Sequence, residues 1–539
     1  MEFLAAARYA TANLGRYGDT DIFPLPPENH LFFDERDKVV ELLGQLDRDL
    51  DGWLARFSPA TSQQALSPAG YFGFRWASQL EPIWNAYLLS LVTACADEIE
   101  KVRLPPEVVP SHRVLLTDND DRLFASDGYV NFVSSCRRLA EQYEFVIATD
   151  IADFYQRIYH HRLENALRDA DRTSHFPDRI IRVIDAWSST SYGLPVGGPA
   201  ARLLSEVLLN RTDQLLRSRQ IEFRRYADDY RIFARSRSEA FAALAYLSET
   251  LLRNEGLALS KPKTKIMTRV EFLGSFMDRD SPEEIVDDLQ RESRAVRARE
   301  LLGFSVRFDP YSPDAHLEYE NLRAAVDRLD LVDLFSFELK KTRIDAGFTK
   351  KLLAALRFAD PRSRGLIASS IADNFELLAP LFPQVMQTLR DVLRDAPEDV
   401  AGEVRQKVQS LFDAESYLLR AGVNLAYAVR VLAVDPYQSH DILFARLFDA
   451  VATPVFVQRD IVIAMSRWGH RYWISDKKNQ FSTFHPWVQR SLLMASYDLG
   501  DEGKHWRNGV KNSLNPFDSL VRDWISTKRS NNPAWELPL

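Results

Sequence analysis

An adjacent pair of aspartates, Asp228 and Asp229, constrains this chain more than any other feature of its sequence. The pair stands between two short stretches in which apolar and polar residues alternate, IEFRR before it and YRIFARS after it. Such alternation on both sides of a polar segment predicts a β-hairpin with the acids at its turn. Because like charges repel, the pair favours either a turn in solvent or a site that binds cations.

A third acid favours the cation site. An apolar run at 145–147 leads directly into Asp150, with Asp153 just beyond it, which predicts a buried strand that ends in a carboxylate. A strand end and a hairpin turn can bring their carboxylates together around divalent metal ions, as nucleotidyl transfer requires. Two Mg²⁺ ions are the expected cofactors, because Mg²⁺ takes a few carboxylates and keeps water and phosphate as other ligands.

A glycine- and proline-rich segment, YGLPVGGPAARLLSEVLLN, lies between these acids and includes Gly197. It predicts a stiff loop followed by a helix. A loop that leads into a helix N-terminus can hold a phosphate backbone, although an ordinary strand-to-helix turn explains the same pattern.

The order of these segments is similar to motifs A to E in the palm of reverse transcriptases: DIADFY, GLPVGGPAARLL, YADD, LSKPKTKIM and EFLGS. The resemblance implies an α+β fold, with a reverse-transcriptase palm and fingers fused to an all-helical C-terminal domain. It implies that Asp150, Asp228 and Asp229 are catalytic. These three and the Ile151 carbonyl would bind the metal ions, with dNTPs as substrate.

The resemblance also implies four nucleotide-binding residues, each with a structural alternative. Arg75, in a stretch (71–92) that resembles the fingers, would contact the triphosphate or form an ordinary salt bridge. Tyr155 matches the aromatic gate that crowds a ribose 2′-hydroxyl, or packs in the core. Lys263 resembles the motif D lysine near the departing pyrophosphate, or is a solvated turn lysine. Gly197 would approach the nucleotide backbone.

Two further positions bear on the resemblance. Residues 272–274 (FLG) match the primer-grip turn of the family. Val196 departs from the family, because many relatives carry a glutamine or a similar polar residue there. The departure weakens any inference that the templating base pair is inspected in the usual way.

The approach to motif A resembles one branch, the abortive-infection (Abi) and unknown-group defence reverse transcriptases of bacteria. That resemblance implies antiphage defence, untemplated DNA synthesis primed from a protein hydroxyl, and a homo-oligomer whose partners are dNTPs and single-stranded DNA product. Two alternatives stay open: an RNA-templated, retron-like enzyme with a bound RNA, and a catalytically silent oligomeric scaffold.

The chain divides into three predicted segments: residues 1–110, mostly helical and containing the fingers; 111–280, the palm; and 281–539, helical. Ser281, Pro282 and Glu284 form a helix-start pattern. Several apolar stretches at helical spacing follow, without a strict repeat, so a HEAT-like array and an irregular helical bundle are both open.

Composition excludes several classes of protein. The chain has 539 residues, and its net charge of −8 excludes a generally basic, histone-like coat for duplex DNA. Its two cysteines, Cys95 and Cys136, provide no disulfide framework or zinc site, which favours a reducing, cytoplasmic compartment. The start of the sequence predicts no signal peptide. The most apolar run, 85–96, is too short for a membrane span and predicts a buried helix.

Two charged stretches could bind nucleic acid. Residues 211–237 contain eight arginines and four acids, which predicts either a basic face or a solvated hairpin edge. Residues 466–510 mix tryptophans with lysines and arginines, a composition that suits single-strand binding or a buried helical core equally well.

Overall fold

The computed structural model describes residues 1–117, 121–277, 297, 301, 315–437 and 439–539. The chain forms two compact units, and the first is assembled from three separate stretches. It comprises Met1–Gln64, Trp76–Phe276 and Ser482–Pro538, and the second comprises Ala65–Arg75, Met277–Phe481 and Leu539. The three-segment division of the sequence stays a prediction.

The first unit is mostly helical. Its helices are α1 (Phe3–Tyr17), α2 (Glu28–Asp34), α3 (Arg36–Arg48), α4 (Leu50–Arg56), α5 (Pro82–Ala94), α6 (Ala96–Val102), α7 (Gly128–Ala140), α8 (Phe154–Arg157), α9 (His160–Ala170), α10 (Phe176–Trp187), α11 (Pro199–Ser218), α12 (Arg237–Thr250) and α13 (Arg269–Met277). Every residue of α5 is buried, which confirms the predicted buried helix. A π-helical turn, Leu251–Glu255, follows α12.

The described residues contain six strands, which form two sheets. They are β1 (Gln63–Pro68), β2 (Phe74–Gln79), β3 (Phe145–Asp150), β4 (Glu222–Tyr226), β5 (Asp229–Ala234) and β6 (Lys265–Thr268). Strands β1 and β2 pair with each other, and the other four form an antiparallel sheet in the order β4-β5-β3-β6. The non-sequential order places β3, which ends in Asp150, directly beside the hairpin strand β5.

The predicted hairpin is confirmed, and its local cause is the alternation of side chains. Strands β4 and β5 pair with Phe223 opposite Ile232 and Tyr226 opposite Asp229. Helix α7 packs on β4 and β5, and α12 packs on β3 and β5. One apolar cluster between α7 and the sheet contains Phe132, Cys136, Ala140, Val146, Phe233 and Phe272. This packing holds the strand ends that carry the acids.

Helix α11 begins where the glycine-rich loop ends. Its N-cap is Gly198 and its first residue is Pro199. Proline is favoured at that position because its fixed φ suits a helix and its missing N–H has no helical partner there. The predicted change from loop to helix is therefore confirmed.

The second unit is helical apart from its share of the β1–β2 hairpin, as far as the described residues show. Its helices are α14 (Ala315–Asp327), α15 (Leu331–Leu339), α16 (Ala346–Leu356), α17 (Pro361–Ala372), α18 (Phe382–Leu393), α19 (Glu398–Asp413), α20 (Gly422–Leu432), α21 (His440–Asp449), α22 (Val455–Arg467) and α23 (Arg471–Asn479). The helix start predicted at Ser281, Pro282 and Glu284 lies outside the described residues.

The last stretch of the chain returns to the first unit as α24 (Pro486–Ala495), α25 (Gly500–Val510) and α26 (Pro516–Asn531). Helix α26 packs on α2, α3 and α24.

In the part of the chain that the structure describes, no helix has the length and apolar character needed to cross a bilayer.

Candidate active site in the palm

The sheet brings the three predicted catalytic aspartates together. Asp150, the last residue of β3, is the direct register partner of Asp229, the first residue of β5. Asp228 precedes Asp229 in the hairpin turn, and its carbonyl oxygen accepts a hydrogen bond from the Ile151 amide at 3.2 Å. Three acids separated by up to 79 positions in the sequence therefore share one edge of the sheet.

The hairpin turn has an unusual backbone conformation. Ala227 has a φ of +52°, in the left-handed region that costs a non-glycine residue roughly 1–2 kcal/mol. Its carbonyl oxygen accepts a hydrogen bond from Nη1 of Arg225 at 2.9 Å. Tight two-residue hairpins favour positive φ because its twist matches that of the flanking strands. The strained residue lies immediately before Asp228.

The acids carry negative charge that is only partly compensated. Burial, together with the charges of Asp150 and then Asp229, raises the pKa of Asp228 to about 6. Nζ of Lys263 donates to Oδ2 of Asp150 at 2.9 Å. Burial raises the pKa of Asp150, although the Lys263 ammonium opposes that effect. The lysine side chain is 65% exposed, whereas that of Asp150 is 11% exposed.

The donor set suits a hard divalent cation. Among the described residues, no group of three or more His, Cys, Asp or Glu side chains is arranged to hold a metal ion. Mg²⁺ does not need one, because it commonly uses one or two carboxylates and takes its other ligands from water and phosphate. Burial first, and then the charge of Asp150, raises the pKa of Asp228, and a bound cation would offset both effects. Asp150 and Asp228 therefore fit a metal-binding role.

Tyr155 lies next to the acids. It belongs to α8, and burial followed by the negative charge of Asp228 raises the pKa of its phenol. Its carbonyl oxygen accepts a hydrogen bond from the Leu194 amide at 2.8 Å, which fixes α8 to the start of the glycine-rich loop. The ring is half-buried. Its role as a sugar gate stays a prediction.

Gly197 is required by packing. Its φ is +112°, and a Cβ atom built on it would lie 2.3 Å from Oγ1 of Thr20 and 3.2 Å from Cδ1 of Ile22. The Asp21 amide donates to the Gly197 carbonyl oxygen at 3.4 Å. The N-terminal segment after α1 therefore covers this loop at close range, and a nucleotide contact at Gly197 stays a prediction.

Other predicted residues are placed differently from the three aspartates. Arg75 is an exposed residue of β2, and nothing in the described residues bonds to its guanidinium. Asp153 is exposed and lies 3.8 Å from Arg157. Phe272, predicted to belong to a primer-grip turn, is instead part of α13 and packs in the core beneath the sheet.

Sequence reasoning missed a buried ion-pair network behind the hairpin. Arg225 is 1% exposed; its Nη2 lies 2.6 Å from Oδ2 of Asp213, and its Nη1 lies 2.9 Å from Oε2 of Glu206. Both acids lie on α11. Their spacing of seven residues, about two helical turns, places them on one face of a helix and could have revealed the network.

Some cations of the two charged stretches, 211–237 and 466–510, are buried and do not contribute to a basic surface. Arg224 and Arg225 are buried, so the predicted basic face at 211–237 loses two of its cations. In the C-terminal stretch, Trp487, Lys477 and Lys478 are buried as well. These three residues favour the buried helical core over a surface that binds a single strand.

One known family matches the part of the chain that contains the three aspartates. Residues 101–277 match the family described as "Reverse transcriptase (RNA-dependent DNA polymerase)". This part of the chain is therefore similar to reverse transcriptase domains, a family of nucleotidyltransferases that synthesise nucleic acid. No curated protein matches the chain.

Solved structures with partial similarity include telomerases from two yeasts. Telomerase from Candida albicans, with a fragment of telomeric RNA, matches with a TM-score of 0.29 and 10% identity, over 68% of each chain. Apo telomerase from Candida tropicalis matches with a TM-score of 0.30 and 9% identity, over 75% of this chain and 70% of that chain. Similarity this low supports no argument about this protein.

Proposed function

We propose that this protein is an Mg²⁺-dependent DNA polymerase that transfers deoxynucleotides from dNTPs to a hydroxyl group. The observation that carries the proposal is the pairing of Asp150 with Asp229 across β3 and β5, with Asp228 in the adjoining turn. The match of residues 101–277 to the reverse transcriptase family supports it independently.

In the proposed reaction, a hydroxyl oxygen attacks the α-phosphate of a dNTP and pyrophosphate leaves. Asp150 and Asp228 would be the principal residues that hold Mg²⁺, with Asp229 and the Ile151 carbonyl as further ligands. When bound, Mg²⁺ supplies charge neutralisation at the phosphates and activates the attacking hydroxyl. Asp150 must release Lys263 or share its carboxylate with it, because one of its oxygens is hydrogen-bonded to that lysine.

Four residues would bind the nucleotide. Tyr155 would exclude a ribose 2′-hydroxyl, and the hydrogen bond from the Leu194 amide to its carbonyl oxygen holds the backbone that carries the ring. Lys263 would move from Asp150 towards the departing pyrophosphate, a change that its high exposure permits. Arg75 would contact the triphosphate, and the backbone at Gly197 would lie near the nucleotide.

We further propose that the enzyme acts in antiphage defence as a homo-oligomer, and that synthesis is untemplated and primed from a protein hydroxyl. The resemblance of the approach to motif A supports these properties. We also propose a HEAT-like arrangement for the second unit. Its helices contact their second neighbours, α15 with α17, α16 with α18, α17 with α19, and α18 with α20. Stacked two-helix repeats produce such contacts.

The catalytic proposal is tested by the double substitution Asp228→Asn with Asp229→Asn. Purified wild-type and variant proteins are given labelled dNTPs and Mg²⁺, and incorporation is measured by gel electrophoresis. We expect no incorporation by the variant, because it lacks two anionic ligands. Circular dichroism checks that it is folded. Incorporation at the wild-type rate by a folded double variant would refute the site.

A second candidate function is RNA-templated synthesis, which the description of the matching family as RNA-dependent favours. Nuclease-treated protein is incubated with dNTPs, with and without an added RNA template and primer. Product that forms without the template and stays attached to the protein, as shown by mass spectrometry, supports protein-primed untemplated synthesis. Product that forms only with RNA, and whose sequence is complementary to it, supports the second candidate.

A further inference from the structure

The guanidinium of Arg225 connects helix α11 to the turn that carries Asp228. Its Nε and Nη2 atoms lie 3.0 and 2.6 Å from oxygens of Asp213. Nη1 donates to the carbonyl oxygen of Ala227 at 2.9 Å. Tyr230, two residues beyond Asp228, donates to the same Asp213 at 3.1 Å. Both sides of the turn are therefore anchored to one carboxylate on α11.

The three side chains that anchor the turn to α11 are buried. Arg225, Asp213 and Tyr230 are each at most 1% exposed. Burial alone would lower the pKa of Arg225, but Asp213 and then Glu206 raise it well above its usual value, so the side chain stays charged. A charged guanidinium makes stronger and more directional hydrogen bonds than a neutral donor. The strained Ala227 therefore keeps its conformation in the absence of a ligand.

We propose that Arg225 is a positioning residue. By its hydrogen bond to the Ala227 carbonyl oxygen, it keeps the Asp228 carboxylate beside Asp150. This inference rests on the proposed polymerase function and adds a determinant of metal affinity that lies outside the metal ligands. A lysine at this position keeps the charge but has a single ammonium group, which cannot reproduce the paired contacts to Asp213 together with the turn contact.

Arg103 provides a matched control in the same network. It is 7% exposed and its Nη2 lies 2.9 Å from Oε2 of Glu206, the acid that Arg225 also contacts. Its backbone contacts are with Ser111 and His112, not with the turn. Arg103→Lys therefore disturbs the buried network to a similar extent without releasing Ala227.

The test compares Arg225→Lys with Arg103→Lys in the full chain. Mn²⁺ affinity is measured by electron paramagnetic resonance without nucleotide, and thermal unfolding is measured in parallel. We expect both substitutions to lower the Tm, but only Arg225→Lys to weaken Mn²⁺ binding, by about 10- to 100-fold, as is typical for the partners of metal ligands. Equal Mn²⁺ affinity in the two variants would overturn the inference. A wild type that binds Mn²⁺ but incorporates no dNTP would instead contradict the proposed function.

An independent observation is a cavity of about 310 Å³ in the first unit, bordered by α6, α9, α11 and the π-helical turn. Its size is at the lower end of the range for small-molecule sites, roughly 300–1,000 Å³. Glu255, the last residue of the π-helical turn, lines it and is only 7% exposed. π-Helical turns occur often at functional sites.

The charged groups of this cavity are not bonded to one another. Within the described residues, the side chains of Glu255, Arg162 and Arg211 form no hydrogen bond or ion pair, although all three line the cavity. Oδ1 of Asn210 is buried there without a hydrogen-bond partner. Both arginines are exposed. The cavity therefore has a deep acceptor carboxylate, and towards solvent two cations and a second acid, Asp169, with Leu208 among its apolar lining.

We infer that this cavity binds a guanine nucleotide, with the N1–H and N2 amino groups of the base donating to Glu255 and the phosphate near Arg162 and Arg211. A carboxylate accepts both donors of the guanine edge, whereas adenine offers an acceptor at N1 and is disfavoured there. The apolar wall suits the face of the base.

Isothermal titration with GMP in EDTA tests this inference, because chelation prevents metal-dependent binding at the palm aspartates. We expect GMP to bind at least about tenfold more tightly than AMP, and Glu255→Gln to weaken GMP by about 10- to 100-fold through loss of a charged acceptor. The variant Asp150→Asn with Asp228→Asn serves as control and should bind GMP normally. Equal binding of GMP and AMP, or unchanged GMP binding by Glu255→Gln, would overturn it.

Discussion

Two groups of residues in the first unit each place three carboxylates beside one cation, yet they differ in exposure and in bonding. The palm cluster consists of Asp150, Asp228, Asp229 and Lys263. The Arg490 cluster consists of Arg490, Glu28, Glu81 and Asp518. In the palm cluster, the Lys263 ammonium donates a hydrogen bond to Asp150 and to no other described residue. The lysine side chain is 65% exposed.

In the Arg490 cluster, the guanidinium is completely buried and bonds to all three acids, at 2.8 Å to Glu28 and 2.6 Å to both Glu81 and Asp518. The comparison shows that the number of acids does not distinguish a metal site from a structural ion pair. An exposed lysine with one bond can be displaced by another cation, whereas a buried arginine with three bonds cannot. The following experiments test this distinction.

The largest difference is expected in catalysis. Asp150→Asn should reduce dNTP incorporation by at least about 10³-fold, because loss of one metal ligand removes several kcal/mol of charge stabilisation. Glu28→Gln removes an acid from the Arg490 cluster and should leave the rate within about twofold, because Glu28 bonds to Arg490 and not to a palm aspartate. Initial rates at saturating Mg²⁺ measure both. A similar loss in the two variants would show that the clusters do not differ in function.

Stability should show the opposite order. Arg490→Met leaves three buried acids without their cation, which should cost about 3–5 kcal/mol of unfolding free energy. Lys263→Met removes a largely exposed cation and should cost less than about 1 kcal/mol. Thermal unfolding in EDTA compares the two. A Tm of Lys263→Met as low as that of Arg490→Met would contradict the assignment of Lys263 as a displaceable cation.

The Arg490 cluster should also respond to pH. Burial raises the pKa of Glu81 to about 7, against the lowering effect of Arg490. A raised carboxyl pKa means that the folded protein holds the proton more tightly. The stability that protonated Glu81 contributes to the fold is therefore fully present below pH 4.5. It is lost as the pH rises to about 7, by at most roughly 3 kcal/mol. Glu81→Gln should flatten the change of Tm between pH 5 and 8. An unchanged pH profile would contradict a titrating Glu81.

The smallest expected effect concerns Asp228, whose pKa of about 6 is raised for the same reason. In metal-free protein its charge should destabilise the fold as the pH rises from about 4 to 6. Because the residue is half-buried, we expect only about 1 kcal/mol. Asp228→Asn should abolish this loss of stability. Asp153→Asn, which changes an exposed acid nearby, should not. Thermal unfolding in EDTA from pH 4 to 8 measures the difference, and identical profiles for the two variants would contradict it.

The palm cluster could largely be predicted from the sequence, because its geometry depends on local patterns. The alternation in IEFRR and YRIFARS specifies the hairpin, and the apolar run before Asp150 specifies the strand. What could not be predicted is the bond of Lys263 to Asp150, since a turn lysine has many accessible positions. The turn predicted at Phe272 is wrong, because Arg269–Met277 forms α13 and Phe272 packs in the core.

The Arg490 cluster could not be predicted at all. Its members are up to 490 positions apart, and each alone is a common charged residue. The same limitation affected Arg225, which was counted as part of a basic surface because a charge count contains no information about a partner on α11. Burial decides the role of a charged residue, and burial depends on contacts between distant segments.

The Arg490 cluster has a consequence for the synthesis of the protein. Its acids come from α2, the start of α5 and α26, so the first unit is joined by residues that are far apart in the sequence. A nascent polypeptide that has not yet emerged from the ribosome past residue 518 lacks part of this ion-pair network. The order of translation thus delays the complete ion-pair network until residue 518 has been made.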